Sequence, residues 1–438
     1  MDFEPSPHAQ LTFQEVEASG PAARPLEFPS PIVRSGVRVN ALVVHPASGQ
    51  REILSGVIHR EELLATGGAA GASRVATSGS GGGRGRGIVS SPRVESDGEL
   101  EYVAYWPQRR LQDAIYGSVW ACLVLRRHQG VAADDAARAA GVDPGSPQAP
   151  IVWEIVGTHV AIKMVEWARV QNMRGRLLED PVKEIAAMQL LGTDNPHVLG
   201  SVEVLQDDDF LFSVMPYCRD GDLFGIVVGH AEDNNGEGGM SEPVARYWFR
   251  QILQGLHYLQ QRGVCHRDLS LENILVDDTN CLVIDMGMCL RVPYNCPVNP
   301  GSVVDVSSGT ARRLIRPQGV CGKHNYMSPE IFRNTEDFDG FAIDLWAAGV
   351  ILYIMLTGFP PYDQASLADQ RFEIIVNGTL VEQLENWEIN LTPAAGDLLQ
   401  KMLQLYPRDR LTLAQVMNHP WVLNGEVQPP PPADVPLH

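Results

Sequence analysis

Lysine is nearly missing from this chain. It occurs four times, at Lys163, Lys183, Lys323 and Lys401, and the other thirty of the 34 basic residues are arginine. Each lysine position is therefore informative. Basic residues are also outnumbered by 53 acidic ones, for a net charge of −19. That balance argues against a protein that coats nucleic acid or an anionic membrane, since either needs a cationic face, and leaves open a local basic patch. The seven cysteines (122, 218, 265, 281, 289, 296, 321) are odd in number and scattered, with no Cys-x-x-Cys pair. Neither a disulfide framework nor a zinc knuckle is expected, and a reduced compartment fits: cytoplasm by default, with the nucleus open. Long apolar runs are absent. The most apolar stretch, Leu345 to Leu356, has twelve residues, where a membrane span needs about 20, so it is expected to be a buried helix. The opening MDFEPSPHAQ is acidic and polar and carries no secretory signal. No internal repeat is found.

At roughly 100–200 residues per domain, the 438 residues allow two or three domains. Residues 1–100 are rich in Pro, Ser, Gly and Ala and are expected to be mostly disordered, with a flexible Gly/Ser run at 66–88. Within them, 31–64 is better patterned and is expected to form a small β element. The Pro-rich end, 423–438, cannot continue a helix and is expected to be an extended tail. Between 105 and 422 the pattern is that of a folded domain. Val119–Arg126 and Ile151–Val165 read as strands, and 127–150 between them as an inserted loop. Pro181–Leu191 has helical spacing, and Val202–Leu205 with Phe210–Met215 reads as a hairpin. From Pro243 to Val422 the segments are mostly helical. Strands first and helices after suggest an α+β protein of two lobes.

The densest chemical signal is CHRDLSLENILV at Cys265–Val276, followed by VIDMGM at 283–288. His266-Arg267-Asp268, then Asn273, then Asp285-Met286-Gly287 resemble the catalytic and metal-binding loops of eukaryotic protein kinases. Phosphoryl transfer needs a carboxylate to orient the attacking hydroxyl and oxygen ligands for magnesium, a hard cation. Other parts follow in family order. Val160-Ala161-Ile162-Lys163 is similar to the strand that carries the phosphate-binding lysine, and Glu184 suits its ion-pair partner. FSVMPYC at 212–218 resembles the interlobe hinge. Met327-Ser-Pro-Glu330 is similar to the close of the activation segment. Asp344-Leu-Trp346 resembles the start of the buried helix, and Arg410 suits the partner of Glu330.

The resemblance covers about 105–422. It implies a two-lobed kinase fold, with a small β-rich N-lobe at about 105–215 and a larger helical C-lobe at about 219–422. It implies ATP and Mg²⁺ as cofactors, Asp268 as base, Lys163 on the phosphates, and Asn273 and Asp285 on the metal. Met215 would be the gatekeeper. Gly117, Val119, Ala161, Pro216, Cys218 and Leu275 would contact the nucleotide. His266 is structural, and Met286 fills a core slot that is usually Phe. The stretches DLWAAGVILYIMLTGFPPYD and NHPWV resemble the calcium/calmodulin-dependent kinase group; no EF-hand loop accompanies them.

Two positions depart from the family pattern. In the phosphate-covering loop, aligned as QDAIYGSV at 112–119, Gln112 and Ala114 replace glycines, while Gly117 and Val119 remain. A stiffer loop and weaker ATP binding are expected, because glycine admits conformations that other residues resist. Two residues after the base stands Ser270 in place of the usual lysine, and in CGKHNYMSPE stands Lys323 in place of the usual threonine. The two side chains lie close together in the family, so lysine and hydroxyl are expected to have exchanged places, with Lys323 delivering the positive charge. The activation segment, 285 to 330, is long. Its Ser302, Ser307, Ser308 and Thr310, with Arg312, Arg313, Arg316 and Arg267, suggest phosphate-dependent regulation, or else a disordered insertion. Glu272 and Asp222 match positions that bind arginine upstream of the phosphorylated residue; Asp222 equally suits a contact to the ATP ribose. The implied partners are protein substrates with Ser/Thr acceptors. The rival readings are a pseudokinase scaffold and a small-molecule phosphotransferase, the latter weakened by Glu330 and Asp344.

Overall fold

The computed structural model describes residues 21–45, 47–61, 103–146, 149–233, 238–307 and 309–430. The expectations for 1–20, for all of 62–102 including the Gly/Ser run at 66–88, and for the last eight residues lie outside the described residues. The chain divides into two compact units. One consists of Ile32–Met173 and Ser201–Tyr217, the other of Arg174–Gly200, Cys218–His438 and the N-terminal residues to Pro31.

The first unit is a closed seven-stranded barrel. Its strands are β1 (Arg34–Val44), β2 (Arg51–Arg60), β3 (Val103–Ala114), β4 (Gly117–Arg127), β5 (Val152–Glu166), β6 (Glu203–Gln206) and β7 (Phe210–Pro216), in the order β1-β2-β3-β4-β5-β7-β6. Antiparallel hairpins build most of the wall. Closure is parallel: β1 pairs with β6 at Arg34 and Ser35, and with β5 from Leu42 to Val44. The alternation of β1 turns Ala41 and Val43 inward, where they join Leu54, Val57, Ala104, Leu125 and Trp153 in one core. A second core holds Ile58, Tyr105, Cys122, Ile162, Leu205, Phe212 and Val214. A polar contact ties β6 to β2 and β3. Glu203 accepts from Arg60 Nε at 2.7 Å and from the Tyr105 hydroxyl, so its buried carboxylate is satisfied from two neighbouring strands.

The small β element expected at 31–64 is present as the β1–β2 hairpin, and it is built into the barrel wall. One expectation is corrected: the insertion 127–150 is not wholly loop. It contains helix α1 (Val131–Ala139), whose Ala136 and Ala137 are buried, with Ala136 packed against Val44 and Val152. Helix α2 (Trp167–Met173) ends this part of the unit.

The second unit is helical. Helix α3 (Pro181–Leu191) starts at the expected residue because Asp180 accepts the Val182 and Lys183 amides and Pro181 presets the first turn. It groups with this unit. Helices α4 (Leu223–Asp233), α5 (Glu242–Gln261), α6 (Pro329–Arg333) and α7 (Gly340–Thr357) follow. Five shorter ones close the unit: α8 (Gln370–Val376), α9 (Leu380–Asn386), α10 (Pro393–Met402), α11 (Leu413–Met417) and α12 (Pro420–Asn424). Helix α7 is long and apolar enough to cross a membrane by length and composition, but every residue of it is buried inside the unit. It is the core helix expected from the sequence. After α12 the chain lies along α5, where Arg246 donates to the Glu426 carbonyl and Gln428 N–H to that of Pro243.

Candidate functional site

In the helical unit the catalytic-loop residues are fixed by buried hydrogen bonds. Asp344, from the second turn of α7, accepts the backbone N–H groups of His266 at 2.7 Å and Arg267 at 2.9 Å. Burial pushes the Asp344 carboxyl up to about 6. His266 is fully buried. Its Nε2 lies 2.7 Å from the Ile284 carbonyl, which only accepts, so Nε2 carries the hydrogen. Nδ1 then accepts from the Asp268 amide at 3.2 Å. One imidazole thus ties the loop that holds Asp268 to the strand that leads to Asp285. Arg267 takes a left-handed φ of 70°, a conformation that persists only where the surroundings over-determine it.

Asp268 and Asn273 meet directly. Asn273 Nδ2 donates to the Asp268 carbonyl at 2.7 Å and to its Oδ2 at 3.3 Å. The other carboxylate oxygen, Oδ1, is buried without a partner. A buried acceptor with no donor is costly unless a ligand supplies one. Burial raises the Asp268 carboxyl above its ordinary range, nearby Lys323 opposes the rise, and Asp285 adds to it. Gly322 helps keep the space beside Asp268 clear. Its φ is +90°, and a Cβ there would come within 3.0 Å of the Arg267 carbonyl and 3.4 Å of Asp268 Oδ1.

The second loop adjoins the first, since the Ile284 amide donates to the Asn273 carbonyl at 2.9 Å. Asp285 is also left-handed, at φ 65°, and its Oδ1 accepts the Gly287 amide at 3.1 Å. Met286 is fully buried, as expected of a core filler. Helix α3 packs on the turn Met286–Met288, and Glu184 in its first turn is buried. Among the described residues no cluster of three His, Cys, Asp or Glu side chains forms a metal site by itself. The paired Asn273 and Asp285 suit a cation whose other ligands come from phosphate and water, the habit of magnesium. Asn273 fits that role, because its amide nitrogen is spent on Asp268, which leaves the side-chain oxygen as the atom that can ligate.

The exchanged pair is in contact. Lys323 Nζ donates to Ser270 Oγ at 2.6 Å and lies 3.7 Å from Glu272 Oε2. Asp222 caps the first turn of α4 through the Gly225 amide at 2.9 Å and pairs with Leu275 along the backbone. Cys218 is half-buried in the same unit. Further from the loops, Arg410 grips Glu330 in a buried two-pronged pair at 2.6 and 2.7 Å.

The barrel carries the other predicted residues. In β5, Ala161 pairs with Ala121 and Met215, and Lys163 with Val119 and Ser213; Val160 pairs with Pro216. Lys163, Val119, Ala161, Met215 and Pro216 therefore lie on three adjacent strands. Gln112 and Ala114 sit in the β3–β4 ladder, opposite Val119 and Gly117, just past a register shift between Arg110 and Gln112. The turn between them is tied down. Tyr116 is buried, its carbonyl accepts the Glu166 amide at 2.8 Å, and Arg169 reaches the Ile115 carbonyl. Gly117 is required by close approach, as a Cβ would fall 1.8 Å from the Met164 carbonyl oxygen.

The long activation segment is built into the helical core. Val292, Tyr294 and Ile315 pack with Cys265, Phe338 and Phe341. Thr310 is buried, and its hydroxyl donates to the Ser307 carbonyl at 2.8 Å. The arginines proposed as phosphate receivers already have partners. Arg312 holds Asp339 with two bonds, of 2.9 and 2.8 Å. Arg267 donates to the Met288 and Gly319 carbonyls. Arg313 and Arg316 bond to the carbonyls of Pro21 and Ala22. Sequence reasoning missed this N-terminal contact. Its only signal was the extended, proline-punctuated PAARPLEFPSP, which says strand-like without saying where it docks.

A family model for the protein kinase domain matches residues 152–422. CBL-interacting protein kinase 20 of rice (Oryza sativa subsp. japonica) is 28% identical over 63% of this chain and 54% of its own length. CBL-interacting protein kinase 17 of rice is 31% identical over 60% of the chain and 51% of its own. The maternal embryonic leucine zipper kinase of Xenopus laevis is 30% identical over 62% of the chain and 36% of its own. The chain thus spans about half or less of the length of these curated relatives. With the paired loops, the buried Asp344 brace and the Arg410–Glu330 clamp in place, and a family match over well over half its length, the chain belongs to the eukaryotic protein kinase superfamily.

Proposed function

We propose that the protein is a serine/threonine protein kinase that transfers the γ-phosphate of ATP to a hydroxyl of a protein substrate. The observation that carries the reading is the buried, partnerless Oδ1 of Asp268, in a carboxylate whose other oxygen is held by Asn273. A substrate hydroxyl is the donor this oxygen lacks. Asp268 orients that hydroxyl and accepts its proton as the oxygen attacks phosphorus. Asn273 and Asp285 would hold magnesium, which supplies charge neutralisation on the phosphates. Lys163 would bind the α/β-phosphates. Lys323, aligned by Ser270, would place its ammonium against the transferring group.

Glu272 carries a preference for a basic residue upstream of the acceptor. Among the described residues its Oε2 accepts no hydrogen bond and has only the Lys323 ammonium, 3.7 Å away, as an ion-pair partner, whereas Asp222 is engaged in capping α4. An array of Ser peptides with and without upstream arginine tests this, and equal turnover of both sets would exclude it. A second reading, a catalytically silent scaffold, is favoured by one observation: the laddered, tied-down turn at 112–119. Transfer from γ-labelled ATP with Mg²⁺, to the protein itself and to an Arg-x-x-Ser peptide, separates the two. The kinase reading expects incorporation that vanishes in Asp268→Asn. Folded protein that binds ATP and transfers nothing, after treatment with an activating kinase extract as well as before, would establish the scaffold.

A further inference from the structure

Residues 21–27 lie across both ends of the activation-segment insertion. The Leu26 amide donates to the Arg291 carbonyl at 3.0 Å, and Arg291 returns a bond of 2.7 Å to the Glu27 carbonyl. Three residues earlier the Ala23 amide donates to the Leu314 carbonyl at 3.0 Å, and the Arg316 amide to the Ala23 carbonyl at 3.2 Å. Arg313 and Arg316 add side-chain bonds to the carbonyls of Pro21 and Ala22. Ala23 and Leu26 thus bridge two points of the chain, Arg291 and Ile315, that the insertion separates. Ile315 is pinned from its other side too, exchanging two backbone bonds with Phe338, at 2.8 and 2.9 Å.

The sequence of this strip suits the task. Proline at 21, 25, 29 and 31 keeps it extended and removes amide donors, yet the amides that bond, at Ala23 and Leu26, are not proline. An ordered activation segment usually needs added charge to hold it, most often a phosphate that gathers arginines. Here Arg267, Arg313 and Arg316 are gathered by carbonyl oxygens and Arg312 by the Asp339 carboxylate. The segment that they hold runs on through Gly319, bonded to Arg267, to Gly322 and Lys323 beside Asp268.

We propose that residues 21–27 are an intramolecular strap that keeps the activation segment ordered without phosphorylation, so that release of the strap, and not addition of phosphate, is the regulated event. The ordering half stands alone, and the catalytic half rests on the phosphoryl-transfer reading above. The test uses the full chain, shown phosphate-free by intact mass, beside Ala23→Pro/Leu26→Pro, which deletes both bonding amides from a strip that already tolerates proline. Amide hydrogen exchange is followed at 290–318 and, as an internal reference, in α7. The wild type is expected to protect 290–318 while unphosphorylated. The double variant should exchange there at least about tenfold faster with α7 unchanged, lose transfer activity, and regain both on addition of a peptide of residues 20–30. Equal exchange at 290–318 in the two proteins would overturn the strap, as would wild-type protection that appears only after phosphorylation. Strap-dependent protection in a wild type that transfers nothing would establish the strap while the kinase reading fails.

Discussion

The two departures from the kinase pattern sit in different units and are resolved in different ways. In the helical unit the missing lysine at 270 is met by a lysine on the facing segment, 2.6 Å from the serine that replaced it. The charge is still present locally, reached from the other side. In the barrel the two missing glycines are met by nothing of the kind. Gln112 and Ala114 are absorbed into a hydrogen-bonded ladder whose turn is fastened by Tyr116. Chemistry that depends on a charge can be moved between side chains. Chemistry that depends on backbone freedom cannot be supplied by a neighbour.

The comparison can be broken from either side. The largest effect is expected from Arg410→Met, which leaves Glu330 buried and uncompensated. Losing one partner of such a pair costs about 3–5 kcal/mol, and the loss should appear as a lower denaturant midpoint for the helical unit with the barrel transition unchanged. Lys323→Ala should lower kcat about 100- to 1,000-fold, the cost of removing one group that stabilises developing charge, with ATP affinity within about twofold of wild type. Equal losses from Lys323→Ala and from a surface arginine variant would dissolve the contrast. In the barrel, Ile58→Ala should cost about 2–5 kcal/mol, because Ile58 is fully buried on the β2 wall. A negligible loss would mean that the β1–β2 hairpin is an appendage after all.

The pH profile is a smaller lever. Burial holds the Asp344 carboxyl near 6, above its ordinary 3.8. Between those values the folded state binds more protons than the unfolded one, so stability falls as pH rises from about 4 to 6 and levels off above. The fall should be about 3 kcal/mol and should be absent from Asp344→Asn in urea unfolding across that range. Smallest is Gln112→Gly/Ala114→Gly, which should cost the barrel about 1–2 kcal/mol while tightening ATP binding. No change in ATP affinity would show that the ladder is irrelevant to the nucleotide.

The legibility of the sequence followed the same divide. Asp268, Asn273, Asp285, Asp344 and Arg410 could be singled out because the motifs that carry them resemble those of the kinase family, even where the partner is distant in sequence, as His266 is from Asp344 and Glu330 from Arg410. Helix α3 could be read to the residue, since Asp180 and Pro181 mark its start. The barrel's closing wall could not. Residues 34–60 alternate as a hairpin should, but closure depends on parallel pairing to β5 and β6, more than a hundred residues away in sequence. Nothing local encodes such a pairing. The same holds for the strap, whose partners are backbone carbonyls and so leave no trace in residue types. Helix α1 was hidden by alanine and glycine, which read as loop until a wall exists for Ala136 and Ala137 to pack against.

The most direct test of this account is the reciprocal exchange, Lys323→Ser with Ser270→Lys, assayed for phosphate transfer beside each single variant. The account predicts that Lys323→Ser alone is nearly inactive and that the double exchange recovers most of the lost rate, because the charge returns to the same place from the other loop. A double variant no more active than Lys323→Ser would contradict it, and would leave Lys323 a surface lysine that happens to touch a serine.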